Sequence, residues 1–123
     1  MDGREHLGGQ GGKRLELKEG QLVVIKKRQG AFYGTELEML LRNLGVNALL
    51  VTGVSVHACV NATIVGASDR DFDIIALSDC CAVPSEEISD FFFTKGWKSY
   101  GVKVMALSEI LKYISAAVSG ELS

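Results

Sequence analysis

The feature that most constrains this chain is its alternation of two periodicities. Short aliphatic or β-branched runs recur at Leu22–Lys26 (LVVIK), Ala48–Thr52 (ALLVT), Asp73–Ser78 (DIIALS) and Val102–Leu107 (VKVMAL). A continuous apolar run bounded by turn residues is the pattern of a strand covered on both faces. Between these runs the apolar residues switch to helical spacing. Leu37, Leu40, Leu41 and Leu44 stand at i, i+3, i+4 and i+7, and Gly45 follows as a C-cap. Thr35-Glu36-Leu37-Glu38 has the form of a capping box at the start of that helix. A second helix is predicted from Ala58 to Asp69, presenting Val60, Ile64 and Ala67 to the sheet. A third opens at Pro84-Ser85-Glu86-Glu87, and a last begins at Ser108 and carries Leu111, Ile114 and Val118. Strands alternating with helices imply right-handed βαβ units. The expected fold is therefore α/β: a three-layer α-β-α, Rossmann-like parallel sheet with about four strands.

At 123 residues there is material for one domain, and a 47% hydrophobic content supports a buried core. Residues 1–20 differ from the rest. Gly8, Gly9, Gly11 and Gly12 crowd together among scattered charges, which predicts a flexible lead-in before a domain over 21–123. A net charge of −2 gives neither a basic footprint for nucleic acid nor a polybasic membrane anchor. No apolar run approaches the roughly 20 residues that span a bilayer, and the charged N-terminus does not read as a secretory signal. The three cysteines, Cys59, Cys80 and Cys81, make a poor disulfide framework. Reduced thiols in the cytoplasm are expected. No CxxC occurs, and His6 and His57 lie far in sequence from Cys80 and Cys81, so neither a metal nor a cofactor is expected. A redox role for the vicinal pair would require a disulfide closing a strained ring.

In an open parallel sheet, ligands bind at the carboxyl ends of the strands. Three segments bring reactive residues there: Lys26-Lys27 after the first run, Gly53–Cys59 after the second, and Asp79-Cys80-Cys81 after the third. Cys59 falls near a helix N-terminus, where unpaired amides and the helix dipole favour a thiolate and a lysine would add to the effect. The same amides could hold the oxyanion formed when a thiolate attacks a carbonyl. From the residues alone, Cys59 stays open between a nucleophile and a small buried hydrophobe. Lys26 stays open between a site cation and a solvated strand flank, because Lys27 and Arg28 follow it directly.

Three segments also resemble the isochorismatase/nicotinamidase family of cysteine hydrolases. Val24–Leu37 (VIKKRQGAFYGTEL) is similar to the family's lysine segment, Leu50–Thr63 (LVTGVSVHACVNAT) to its nucleophile motif, and Ile74–Ala82 (IIALSDCCA) to the strand that follows. They stand in the family's order, and the resemblance runs from about Leu22 to Leu111. It implies that Cys59 is the nucleophile, Lys26 the catalytic lysine, and Phe32 a wall of the substrate pocket. A cis peptide would fall at Val54–Ser55, and the Ser55 and Cys59 amides would form the oxyanion hole. The implied substrate is a small molecule, either an amide cleaved at C–N or an isochorismate-like vinyl ether, and the implied assembly is a homo-oligomer. Two departures accompany this. Val56-His57 stands where the family commonly has Thr-Asp, so His57 becomes either a new polar contact or a solvent-facing side chain. The family's aspartate belongs at the end of an earlier strand, whereas the 21 residues before Leu22 contain no apolar run. The expectation is an N-terminally truncated family domain. The alternative is a catalytically inactive member that serves as a binding or assembly module.

Overall fold

A computed structural model describes residues 18–120. The lead-in expected over 1–20 therefore falls largely outside the described residues. The element order is helix α1 (Leu37–Asn43), strand β1 (Ala48–Val54), a π-helical turn (Val56–Val60) running into helix α2 (Asn61–Asp69), strand β2 (Asp73–Ala82), helix α3 (Glu86–Phe91), strand β3 (Lys103–Met105) and helix α4 (Leu107–Ser119). The sheet is parallel throughout, in the order β1-β2-β3. Ala48 pairs with Asp73 at one end and Ile75 with Lys103 on the far side. The α/β architecture expected from the alternation is thus present, with three strands among the described residues rather than about four.

The difference lies in Leu22–Lys26. This stretch passes as irregular chain, with Leu22 60% and Ile25 58% exposed. A β-branched run becomes a strand only where a neighbour completes its hydrogen-bond ladder. The strand β1 has β2 as its ladder partner, and no ladder to 22–26 forms among the described residues. The third run extends further than expected, through Cys80 and Cys81 to Ala82. That extension depends on a slip in register. Val51 pairs with Ala76, but Gly53 pairs with Cys81, so β2 bulges opposite the end of β1. Gly53 sits at this slip with φ 133°, a conformation that a residue with a Cβ rarely adopts.

The core lies between the sheet and α2. Ile64 and Ala67 from α2 meet Val51, Ile74 and Ala76 from the sheet, and Phe72 closes the turn between them. Helix α1 ends as its leucine spacing and Gly45 predict. The Val46 amide donates to the Leu41 carbonyl and the Gly45 amide to that of Arg42, both at 3.0 Å, with Gly45 in the left-handed region. Its start departs from the expected capping box. The Thr35 hydroxyl donates back to the Ala31 carbonyl at 2.5 Å and accepts from the Leu37 amide at 3.3 Å. Glu38 turns away from the helix start to accept from Arg70 Nε at 2.9 Å, tying α1 to the end of α2. The capping residue of α3 is Ser85, which accepts from the Ile88 amide at 3.3 Å.

Candidate active site

At the carboxyl end of β1 the chain turns sharply into a helix. The Val54–Ser55 peptide is cis, and Ser55 is extended (φ −117°, ψ 151°). The Ser55 carbonyl then accepts from the amides of Ala58 and Val60, each at 3.1 Å. The apolar residues flanking this turn, Val56 and Val60, are buried, so the backbone between them is held against the core. Cys59 lies on the other side and is half-buried. It faces a cavity of about 220 Å³ whose lining includes Lys26, Ala31, Gly53, Val54, Cys59 and Thr63. The sequence-predicted nucleophile and lysine therefore share one cavity at the strand end where the parallel sheet places ligands.

The contacts inside this site are specific. The Cys59 thiol donates to Gln29 Oε1 at 2.9 Å. Lys26 Nζ donates to the Arg28 and Gln29 carbonyls, each at 3.1 Å. The Ala31 amide donates to Thr63 Oγ1 at 3.1 Å, which ties the same segment to α2. Ser55 Oγ lies 2.9 Å from His57 Nδ1, and His57 is exposed. His57 is thus both a polar contact and solvent-facing. Among the described residues, no carboxylate lines this cavity, and no cluster of His, Cys, Asp and Glu side chains could hold a metal ion.

Phe32 is placed elsewhere than expected. It is 5% exposed, and its ring stacks on Phe72 with centroids 5.9 Å apart. It belongs to the core, and Ala31 supplies that part of the cavity wall. An aromatic ring beside a bare helix glycine has room to sink. At Gly66 an added Cβ would meet the Phe32 ring at 3.2 Å. Two further residues stand at the site: Thr63, which closes the segment similar to the family's nucleophile motif, lines the cavity, and Gln29 contacts Cys59. Thr63 carried a signal, since it stands four residues after Cys59 and so on the same helix face. Gln29 lies inside irregular chain and had no periodicity to mark it.

The Asp79-Cys80-Cys81 segment takes no part in the cavity. Asp79 Oδ1 accepts from the Leu107 amide at 2.9 Å, capping α4. Burial first, and then the neighbouring Asp79 carboxylate, pushes the Cys80 thiol above its ordinary range. Burial does the same to Cys81, opposed by a backbone contact from Gly53, with Cys80 and Asp79 also raising it. A raised value leaves less thiolate at any given pH, and the thiolate is the form that alkylates. Cys80 and Cys81 are therefore expected to react with iodoacetamide only at a pH above that of an unperturbed cysteine peptide. Site-resolved mass spectrometry across pH 6–10 checks this. A larger cavity, about 550 Å³, opens at the other end of the sheet between the strand starts (Ala48, Asp73, Lys103) and α4 (Ile110, Tyr113), but it gathers no nucleophile.

The isochorismatase domain matches residues 4–109 of the sequence. The chain belongs to the isochorismatase family. An isochorismatase-family relative from Escherichia coli O157:H7, YecD, is 33% identical over 73 residues, covering 59% of this chain and 39% of its own. The crystal structure of an isochorismatase-family protein from Desulfovibrio vulgaris superposes with a TM-score of 0.75 at 31% identity, covering 82% of this chain and 53% of that one. N-carbamoylsarcosine amidase from Thermoplasma acidophilum superposes at 0.66 with 28% identity, covering 80% and 57%. The chain thus spans from about two fifths to somewhat over half of the length of these three proteins.

Proposed function

We propose that this isochorismatase-family protein is a cysteine hydrolase that cleaves a C–N bond of a small amide, with Cys59 as its nucleophile; an isochorismate-like vinyl ether is the second substrate class. The observation that carries this reading is the placement of the Cys59 thiol in the cavity at the carboxyl end of β1, at a strand-to-helix turn, with Lys26 on the same cavity. Similarity to an N-carbamoylsarcosine amidase supports the amide as substrate.

The chemistry follows from the geometry. The Cys59 thiolate attacks the carbonyl carbon, forming a C–S bond while the π electrons move to oxygen. The Ser55 and Cys59 amides stand at the helix start, where unpaired N–H groups favour that negative charge. Collapse of the intermediate breaks the C–N bond, and the amine leaves with the proton that came from sulfur. Water then hydrolyses the thioester, giving acid plus amine overall. Lys26 adds positive charge to the cavity. Among the described residues, no helix is long and apolar enough to cross a membrane, and all three cysteines are free. Free cysteines suit a reducing compartment, and the proposal is a cytoplasmic enzyme acting on a small molecule, with a homo-oligomer implied by the family resemblance alone.

A second reading, a non-catalytic binding or assembly module, is favoured by the lack of a carboxylate among the described residues that line the cavity. Intact-protein mass spectrometry after incubation with small primary amides and ureido acids separates the two. A hydrolase gives an acyl adduct that maps to Cys59 and disappears with time. An adduct confined to Cys80 or Cys81, or none with any amide, supports the second reading.

A further inference from the structure

We infer that Gln29 is a positioning residue for the Cys59 sulfur, and that Lys26 acts on Cys59 in part by fixing Gln29. The inference rests on the reading of Cys59 as nucleophile and adds to it the group that holds the thiol in its resting state. Irregular chain does not ordinarily hold an exposed side chain in one place, because fixing a glutamine costs rotamer entropy. Here the segment is tied down on both sides of Gln29. The Lys26 ammonium spans the Arg28 and Gln29 carbonyls. One residue on, Gly30 lies against helix α2, where an added Cβ would meet the Ala62 carbonyl oxygen at 3.4 Å. Ala31 is then pinned to Thr63 Oγ1. With its backbone held in this way, Gln29 presents Oε1 to Cys59 Sγ at 2.9 Å.

A carboxamide suits this position because it serves both protonation states of sulfur. Its oxygen accepts from the thiol, and the same group turned over donates N–H to the thiolate. A carboxylate of equal length could only accept, and its charge would oppose thiolate formation. Among the described residues, the charged side chain lining the cavity is Lys26, and His57, two residues before Cys59, is bonded to Ser55. A substitution at Gln29 leaves both in place. The Gln29 side chain is exposed, so replacing it removes little packing.

The test is the pH profile of iodoacetamide alkylation at Cys59, resolved by peptide mass spectrometry, in the wild-type chain, Gln29→Glu and Gln29→Ala. In Gln29→Glu the half-maximal pH should rise by about one unit, lowering the rate at pH 7 by about tenfold. In Gln29→Ala, which removes the amide without adding charge, the fall should be about two- to threefold. Thermal unfolding of both variants should match wild type. Superimposable Gln29→Glu and wild-type profiles, with Cys59 still the labelled residue, would overturn the role of Gln29 and leave the nucleophile reading standing. Equal shifts in the two variants would also overturn it, since the effect would then be loss of packing. A Cys59 that resists labelling in every protein would remove the nucleophile reading, and this inference with it.

Discussion

Cys59→Ala is expected to abolish the proposed amide hydrolysis, with a fall in kcat on the order of 10⁶-fold, the scale seen when a covalent nucleophile is removed. The alanine keeps the helix start and the buried valines on either side of it, and gives up only the thiol and its contact with Gln29. Unfolding should therefore move by less than about 1 kcal/mol, as expected for a half-buried position outside the core. Cys59→Ser is the sharper comparison. It preserves shape and a hydrogen-bonding hydroxyl, but the hydroxyl is far less acidic than a thiol, and among the described residues the side chain bonded at this position is Gln29, which is no base. Its loss should approach that of alanine. Both variants are to be assayed by release of amine from small amides, together with circular dichroism to show an intact fold. Hydrolysis that persists in Cys59→Ala would place the chemistry elsewhere. A wild-type chain that releases no amine while binding the same compounds would identify a binding module built on the same cavity.

The sequence carried the α/β class because strand and helix periodicities alternate cleanly from Ala48 to Val118, and the structure keeps that order. Gly45 predicted the end of α1, whereas of the four leucines before it only Leu37 and Leu41 pack against the core and Leu44 is exposed. The turn that carries Cys59 was legible for a related reason: TGV followed by a helix defines one strand-to-helix junction. What failed were inferences that needed tertiary partners. Leu22–Lys26 has the composition of a strand, yet no ladder partner stands beside it among the described residues. Glu38 had a local role available at its helix start, but Arg70, thirty-two residues away, offered a charge-assisted contact instead. Phe32 was assigned to the pocket by its motif, while the space above Gly66 and the ring of Phe72 drew it into the core. Gln29 was invisible because its position depends on contacts its own segment makes with α2. Asp79 reads as a residue at a strand end and proves to be a helix cap, a role set by where α4 begins.

The largest stability effect falls on a residue without any periodic signal. Trp97 lies in the short helical turn Trp97–Tyr100 and is completely buried. Its indole packs against Phe92 and Phe93, with centroids 5.7 and 5.5 Å away, and belongs to the same core as Val56 and Ile64. Trp97→Ala should destabilise the fold by about 3–5 kcal/mol, the cost of a buried aromatic plus the cavity it leaves. Against a typical stability of about 5–15 kcal/mol, that is enough to populate unfolded chain near physiological temperature. Urea denaturation followed by circular dichroism measures it, and a change below about 1 kcal/mol would show that the site collapses without a cavity. Trp97→Phe isolates a second effect. The indole N–H donates to Asn61 Oδ1 at 2.9 Å, and Asn61 is the first residue of α2, two positions after Cys59. Phenylalanine keeps most of the packing but leaves that acceptor without its donor, a cost of about 1 kcal/mol at a half-buried group. Because this contact anchors the helix start that carries Cys59, Trp97→Phe should also slow Cys59 alkylation while Cys80 and Cys81 are unaffected. Loss of stability without any change at Cys59 would confine Trp97 to the core and separate the packing of α3 and its following turns from the geometry of the site.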